Sequence, residues 1–218
     1  MCTVSYVPTD QGFIFTSNRD ELENRDCLAP KWYNHNHILC YPKDTQAQGT
    51  WIACTPQGKV ACLLNGAFVK HVRKNNYRKS RGLIVLESFD FASFSDFVEQ
   101  IDLQDIEPFT LVLVENENLI ELKWDGEQKY IQYLHPQNAH IWSSATLYPK
   151  TIAQKKEQFF KQNLTHLSNP ILQIHQSKPF ENTNENFISD FGNGLKTLSI
   201  TQIIVEQKQV NFAYYPII

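Results

Sequence analysis

An α+β domain of stacked sheets with helices outside is the fold class this sequence predicts, on two observations. Runs of β-branched and aromatic residues cluster near the start, the middle and the end of the chain, and blocks with helical periodicity separate them. Strands grouped on either side of helical blocks pack as layers, with mixed or antiparallel sheets. The 218 residues contain no repeat and no linker and read as a single domain over 1–218.

Strand-like runs come first, near 2–7, 13–17, 37–41, 50–55 and 59–64, each bounded by Pro, Gly, Asn or Asp. From Ser80 the pattern changes. RGLIVLESF is apolar over most of a helical surface, and Phe91, Phe94, Phe97, Val98 and Ile101 recur at helical spacing. FTLVLVE (109–115) reads as a buried strand, and NLIELKW with KYIQYLH as a meander turning at Asp125-Gly126. A helix is expected over 150–164 and a weaker one over 167–175. Residues 181–194 read as loop, and TLSITQIIV with VNFAYYP as a closing hairpin.

Composition narrows the function classes. Hydrophobic residues make up 42% and charged residues 20%, an ordinary globular balance. A net charge of −3 argues against a general nucleic-acid or membrane-surface binder while leaving room for a local basic patch. No basic segment followed by an apolar core opens the chain, and no apolar stretch approaches the roughly 18 residues of a membrane span, so neither a secretory signal nor a transmembrane segment is expected. Five cysteines, odd in number and without a C-x-x-C pair, suit neither a disulfide framework nor a zinc site. A cytoplasmic location follows from that reading.

The opening MCTVSYVPTDQGFIFTSNRDE carries the chemistry. Pro8, Asp10 and Gly12 predict a hairpin with residues 8–12 as its loop, which sets Val7 against Phe13, Tyr6 against Ile14, Val4 against Thr16 and Cys2 against Asn18. Arg19 and Asp20 then emerge beside the chain start. Removal of Met1 would leave Cys2 with both a thiol and a free α-amine, whose ordinary pKa near 7.7–8.0 suits a base at neutral pH. Asp20 could orient the ammonium, and Arg19 could lower the thiol pKa or hold an anionic substrate. The plainer alternative is that Cys2 starts a strand as a small apolar residue and Arg19–Asp20 is a surface ion pair.

MCTVSY, SNRDE (17–21), GTW (49–51), ACLLNGA (61–67), SRG (80–82) and the closing TLSITQIIVEQKQVNFAYY together resemble the NRDE family, the family of transport and Golgi organisation protein 2. That resemblance implies a four-layer αββα sandwich of the N-terminal nucleophile (Ntn) hydrolase type. It implies a catalytic set of Cys2, Arg19, Asp20 and Asn65, with Glu21 as the alternative to Asp20. Asn18, Glu21, Trp51 and Ser144 are then substrate-binding candidates. Asn65 could donate to an oxyanion from the end of an apolar run, or Asn65-Gly66 could be a type I′ turn; Trp51 could wall a pocket or belong to the core. Ser144 and Leu198 stand where the family usually carries Asn and Arg. The expected ligand is a small molecule with an anionic or acyl group. No cofactor is required, and haem is a possible ligand in a carrier alternative.

Three further features stay outside that set. KHVRKNNYRKSR (70–81) holds six Lys/Arg and His71, and is either an anion-steering segment or a solvated loop. His35 and His37 have the spacing of one strand face but no third metal ligand is evident, so no metal site is expected. Cys27, Cys40, Cys54 and Cys62 read as small apolar residues.

Overall fold

The first turn is tighter than the residues around it suggest. In the computed structural model, which describes residues 3–34, 36–164 and 170–217, strand β1 (Thr3–Thr9) and strand β2 (Gly12–Leu22) are joined by Asp10 and Gln11 alone, and Thr9 already pairs with Gly12. The whole register therefore moves by one residue from the expected one: Val7 meets Ile14, Tyr6 meets Phe15, Val4 meets Ser17 and Thr3 meets Asn18. Pro8 is tolerated inside β1 because the neighbour on its other side, β10 (His140–Ser143), pairs only as far as Tyr6.

Two antiparallel sheets form. In the first the order is β10-β1-β2-β12-β11, where β11 is Asp190–Gly192 and β12 is Leu195–Glu206; β13 (Gln209–Pro216) also pairs with β12. The second has seven strands in chain order: β3 (Cys27–Asn34), β4 (Ile38–Asp44), β5 (Ile52–Cys54), β6 (Val60–Asn65), β7 (Phe109–Glu115), β8 (Asn118–Trp124) and β9 (Lys129–Leu134). Helices α1 (Arg81–Glu87) and α2 (Phe94–Gln100) lie on β5 to β8, while α3 (Lys150–Asn163) and α4 (Pro170–His175) lie on β10 and β2. The layers run helix, sheet, sheet, helix, the expected αββα arrangement.

A continuous apolar core joins the sheets through Val4, Phe13, Phe15, Ile52, Cys62, Leu111 and Ile203. A second cluster of Phe160, Ile174 and Phe187 fastens the helices to the outer face of the first sheet, with Val7 and Ile141 packed against it. The helical block after Ser80 is split: Ser80 and Ser93 each cap an N-terminus, a 3₁₀ turn covers Ser88–Asp90, and Phe91 falls between the helices. Strand β3 defies its sequence, since Pro30 speaks against a strand. It survives as a sheet edge, with a register shift between Leu28 and Lys31.

The sequence segments GTW and SRG meet through their backbones. Thr50 N–H donates to Gly82 O at 3.1 Å, and a Cβ on Gly49 would lie 2.4 Å from the Gly82 carbonyl carbon. Backbone cannot move aside as a flexible side chain can. Gly49→Ala is therefore expected to lower unfolding free energy by about 1–3 kcal/mol, read from urea midpoints; an unchanged midpoint would show that this approach is not tight.

Candidate functional site

Strand alternation divides the Asn-Arg-Asp-Glu segment between two environments. Asn18, Arg19 and Asp20 are all buried, at 0, 3 and 2% exposure, so a surface Arg19–Asp20 pair is excluded. The two side chains also meet different partners. Arg19 Nη2 donates to the main-chain oxygen of Arg25 at 2.8 Å, and its guanidinium carbon lies 4.6 Å above the Trp51 ring. Asp20 accepts from the Tyr148 hydroxyl at 2.9 Å and the Thr197 hydroxyl at 2.6 Å.

Asn18 serves the scaffold. Its amide nitrogen donates to the main-chain oxygens of His175 (2.9 Å) and Phe187 (2.7 Å), and its amide oxygen faces His175 Nδ1. An oxygen at that position requires His175 to carry its proton on Nδ1, which leaves Nε2 to accept from the Ser5 hydroxyl at 2.8 Å. Every polar atom of this imidazole is then satisfied in the neutral form. Burial, and secondarily the charge of Lys156, hold its pKa down at about 3. Lys156 is itself fully buried, donates to the Thr3 hydroxyl at 2.9 Å and stands 3.6 Å from the centre of the Tyr148 ring.

Arg19 opens onto a small, partly open pocket between the sheets, of about 80 Å³, lined also by Glu21, Arg25, Trp51, Asn65 and Arg81. Its charges are unequally matched. Arg25 pairs with Asp44 at 2.7 Å; burial opposes both charges, but the Ala47 amide and Arg25 still hold Asp44 below the usual carboxylate range. Arg81 reaches Glu107 at 3.3 Å, and burial lowers its pKa. Arg19 has no carboxylate at ion-pairing distance among the described residues. The Trp51 indole N–H, buried beneath it, has no acceptor among them either.

Of the expected site residues, the pocket collects Arg19, Glu21, Trp51 and Asn65. Cys2 lies outside the described residues, as does His35. Asn65 ends β6 and Gly66 follows at φ +81°, but this is no hairpin turn, because both α1 and α2 intervene before β7. Ser144 is fully buried and braces the site: its hydroxyl donates to the Asn65 carbonyl at 2.8 Å. The basic run is largely neutralised from elsewhere in the chain: His71, Arg73 and Arg81 converge on Glu107, Arg78 meets Asp102 and Lys79 meets Glu87. Cys40, Cys54 and Cys62 are buried, and burial pushes the Cys62 thiol up to about 12. Sequence reading missed Arg25, Asp44, Tyr148, Lys156, His175 and Thr197. Only Lys156 carried a local sign, since it shares a helical stripe with Ile152 and Phe160.

Comparison with solved structures places this architecture among known folds. A Caenorhabditis elegans N-acylethanolamine-hydrolyzing acid amidase ortholog superposes with a TM-score of 0.60 at 12% identity, over 97% of this chain and 100% of that one. A mutant of conjugated bile acid hydrolase from Clostridium perfringens gives 0.52 at 10% identity, over 98% and 92%. At such identities the likeness concerns the fold, which is of the Ntn-hydrolase type. A sequence profile of the Transport and Golgi organisation 2 family matches residues 1–209. An uncharacterized protein of Saccharomyces cerevisiae is 35% identical over 97 residues, a match spanning 40% of this chain and only 30% of the yeast protein.

The neutral imidazole has a measurable consequence. His175 titrates near 3 when folded and near 6.5 when unfolded, so between those values the unfolded chain binds the extra proton. Its contribution is whole above about pH 6.5 and is lost as pH falls towards 3. Wild type is expected to lose roughly 2 kcal/mol more than His175→Gln between pH 7 and pH 5, by urea unfolding at each pH. Equal losses would contradict the assignment.

Proposed function

This chain belongs to the Transport and Golgi organisation 2 family, and on that premise we propose that it is a cysteine amidohydrolase or acyltransferase acting on a non-peptide amide in the cytoplasm. The observation that carries the proposal is Arg19: a buried guanidinium, unmatched by a carboxylate, lining a pocket beside the orphaned indole N–H of Trp51. A buried cation without a counter-charge is costly, and an anionic group or carbonyl oxygen of a ligand would relieve it through charge-assisted hydrogen bonds. Two structural neighbours are hydrolases by name, one of them hydrolysing N-acylethanolamines; the acyl-amide class comes from there.

In this reading, loss of Met1 frees the Cys2 amine, which takes the thiol proton. The thiolate adds to the amide carbonyl, and the oxyanion accepts a hydrogen bond from the Asn65 amide. Collapse breaks the C–N bond, the ammonium protonates the leaving amine, and a thioester remains on Cys2. Water releases the acid, or a second amine takes the acyl group. Asp20, with its carboxylate fixed by Tyr148 and Thr197, is assigned to the terminal ammonium.

One observation favours a carrier instead. Ser144, at the position where the family usually has an amide side chain, spends its hydroxyl on the Asn65 carbonyl, which leaves one donor fewer for an oxyanion. Among carrier ligands an acyl lipid suits the pocket better than haem: the arginines could meet propionates, but the described lining has no His, Cys, Met or Tyr to ligate iron.

A panel of N-acyl amides separates the readings. Turnover is expected from protein whose intact mass lacks Met1, with none from Cys2→Ala. Arg19→Leu should raise KM roughly 10- to 100-fold, the worth of a charge-assisted hydrogen bond. Saturable binding without product, unaffected by Cys2→Ala, would establish the carrier instead.

A further inference from the structure

The loop between β6 and α1 presents an apolar tip to water. Phe68, Val69 and Val72 are 54, 72 and 93% exposed, in a protein whose other valines and phenylalanines are largely covered. Single exposed apolar residues are ordinary; three within five positions are not. Lys70, Arg73 and Lys74 alternate with them and are exposed too. From Thr45 to Leu86 the chain has no acidic residue, and Glu107, reaching in from another segment, is already shared by His71 and Arg81 and meets the exposed Arg73 only at 3.8 Å. Lys70 and Lys74 have no carboxylate partner among the described residues.

The tip stands on a fixed base. His71 Nε2 lies 3.2 Å from Glu107, the Lys74 amide donates to the Tyr77 hydroxyl at 2.9 Å, and Arg78 Nη2 donates to the Asp102 carbonyl at 2.6 Å. Phe68 meets the exposed Tyr130 of β9 edge-on at 4.9 Å, and Lys123 lies 5.3 Å from the Phe68 ring. Apolar side chains, amphipathic aromatics and cations thus share one face.

We propose that this face docks on an anionic lipid surface, with Phe68, Val69 and Val72 entering the acyl boundary and Lys70, Arg73 and Lys74 meeting lipid phosphates. The charge pattern selects this occupant. A protein partner of the same apolar content needs no unmatched lysines at the tip, whereas a negatively charged bilayer favours Lys70, Lys74 and the largely exposed Arg73 and accepts the apolar tip without shape complementarity. The overall charge of −3 confines the attraction to this face, which fixes the orientation of the docked molecule. The loop leaves the sheet one residue after Asn65 and returns at Ser80, both of which line the Arg19 pocket. Docking would set that pocket close to the bilayer, whatever chemistry it performs.

Sedimentation of the purified protein with phosphatidylcholine vesicles, with and without phosphatidylserine, tests the proposal. Binding is expected only where phosphatidylserine is present, and it should weaken as salt is raised. Lys70→Ala or Lys74→Ala should each cost roughly fivefold, and Val72→Ser roughly tenfold. Val72→Trp should shift its emission to the blue on adding vesicles. Absence of binding overturns the proposal, as does binding indifferent to Val72→Ser, which would reveal a purely electrostatic contact. A concentration-dependent dimer that Val72→Ser abolishes, without vesicle binding, would assign the face to a second copy and equally overturn it.

Discussion

Everything in this molecule turns on strand β2 being covered on both faces. Gly12–Leu22 runs through the middle of the first sheet, between β1 and β12, with helices over one face and the second sheet over the other. A strand in that position cannot treat a run of polar residues as a surface patch; each side chain must find its partner on the side to which the pleat turns it. Arg19 and Glu21 take the pocket between the sheets, while Asn18 reaches His175 and Asp20 reaches Tyr148 and Thr197. Four consecutive polar residues thus perform two jobs: they anchor the helical layer and furnish the pocket.

The electrostatics follow from that burial. Almost every charge near the pocket is compensated within the protein: Arg25 by Asp44, Arg81 by Glu107. Compensation on this scale is what keeps buried ions affordable. Arg19 departs from the pattern, having a peptide oxygen and an indole face as its partners. Both are weaker than a carboxylate, so the site retains attraction for an anion that its neighbours have lost. On the helical side the same logic works through neutrality, since Asn18 and Ser5 satisfy a neutral His175 where a charged one would face Lys156.

Much of the fold was legible in local pattern. The long strands and the αββα order could be read because strand and helix periodicities are strong there, and the family motifs pointed to Arg19, Trp51 and Asn65. The failures have physical causes. The hairpin register slipped by one because Pro8 and Gly12, read as loop residues, are both in strands, and a one-residue slip exchanges the faces of the whole strand. Strand β3 was hidden by Pro30, which an edge can hold. Asn65-Gly66 stayed open between a turn and an oxyanion donor because the dipeptide is a strong turn signal, whereas Gly66 only redirects the chain into the loop before α1. Lys156 and His175 were invisible for a different reason. They act more than 150 residues from Thr3 and Asn18, at separations for which no local spacing exists.

The central claim is that Arg19 and Trp51 together form the ligand-facing end of the pocket. The Trp51 indole N–H resonance, identified by its loss in Trp51→Phe, reports on this directly. On titration with an N-acyl amino acid, which carries both an amide and a carboxylate, that resonance should move saturably in wild type and stay still in Arg19→Leu. A resonance unmoved in wild type while the ligand binds, with shifts elsewhere in the spectrum, would place the ligand at another site and contradict the account.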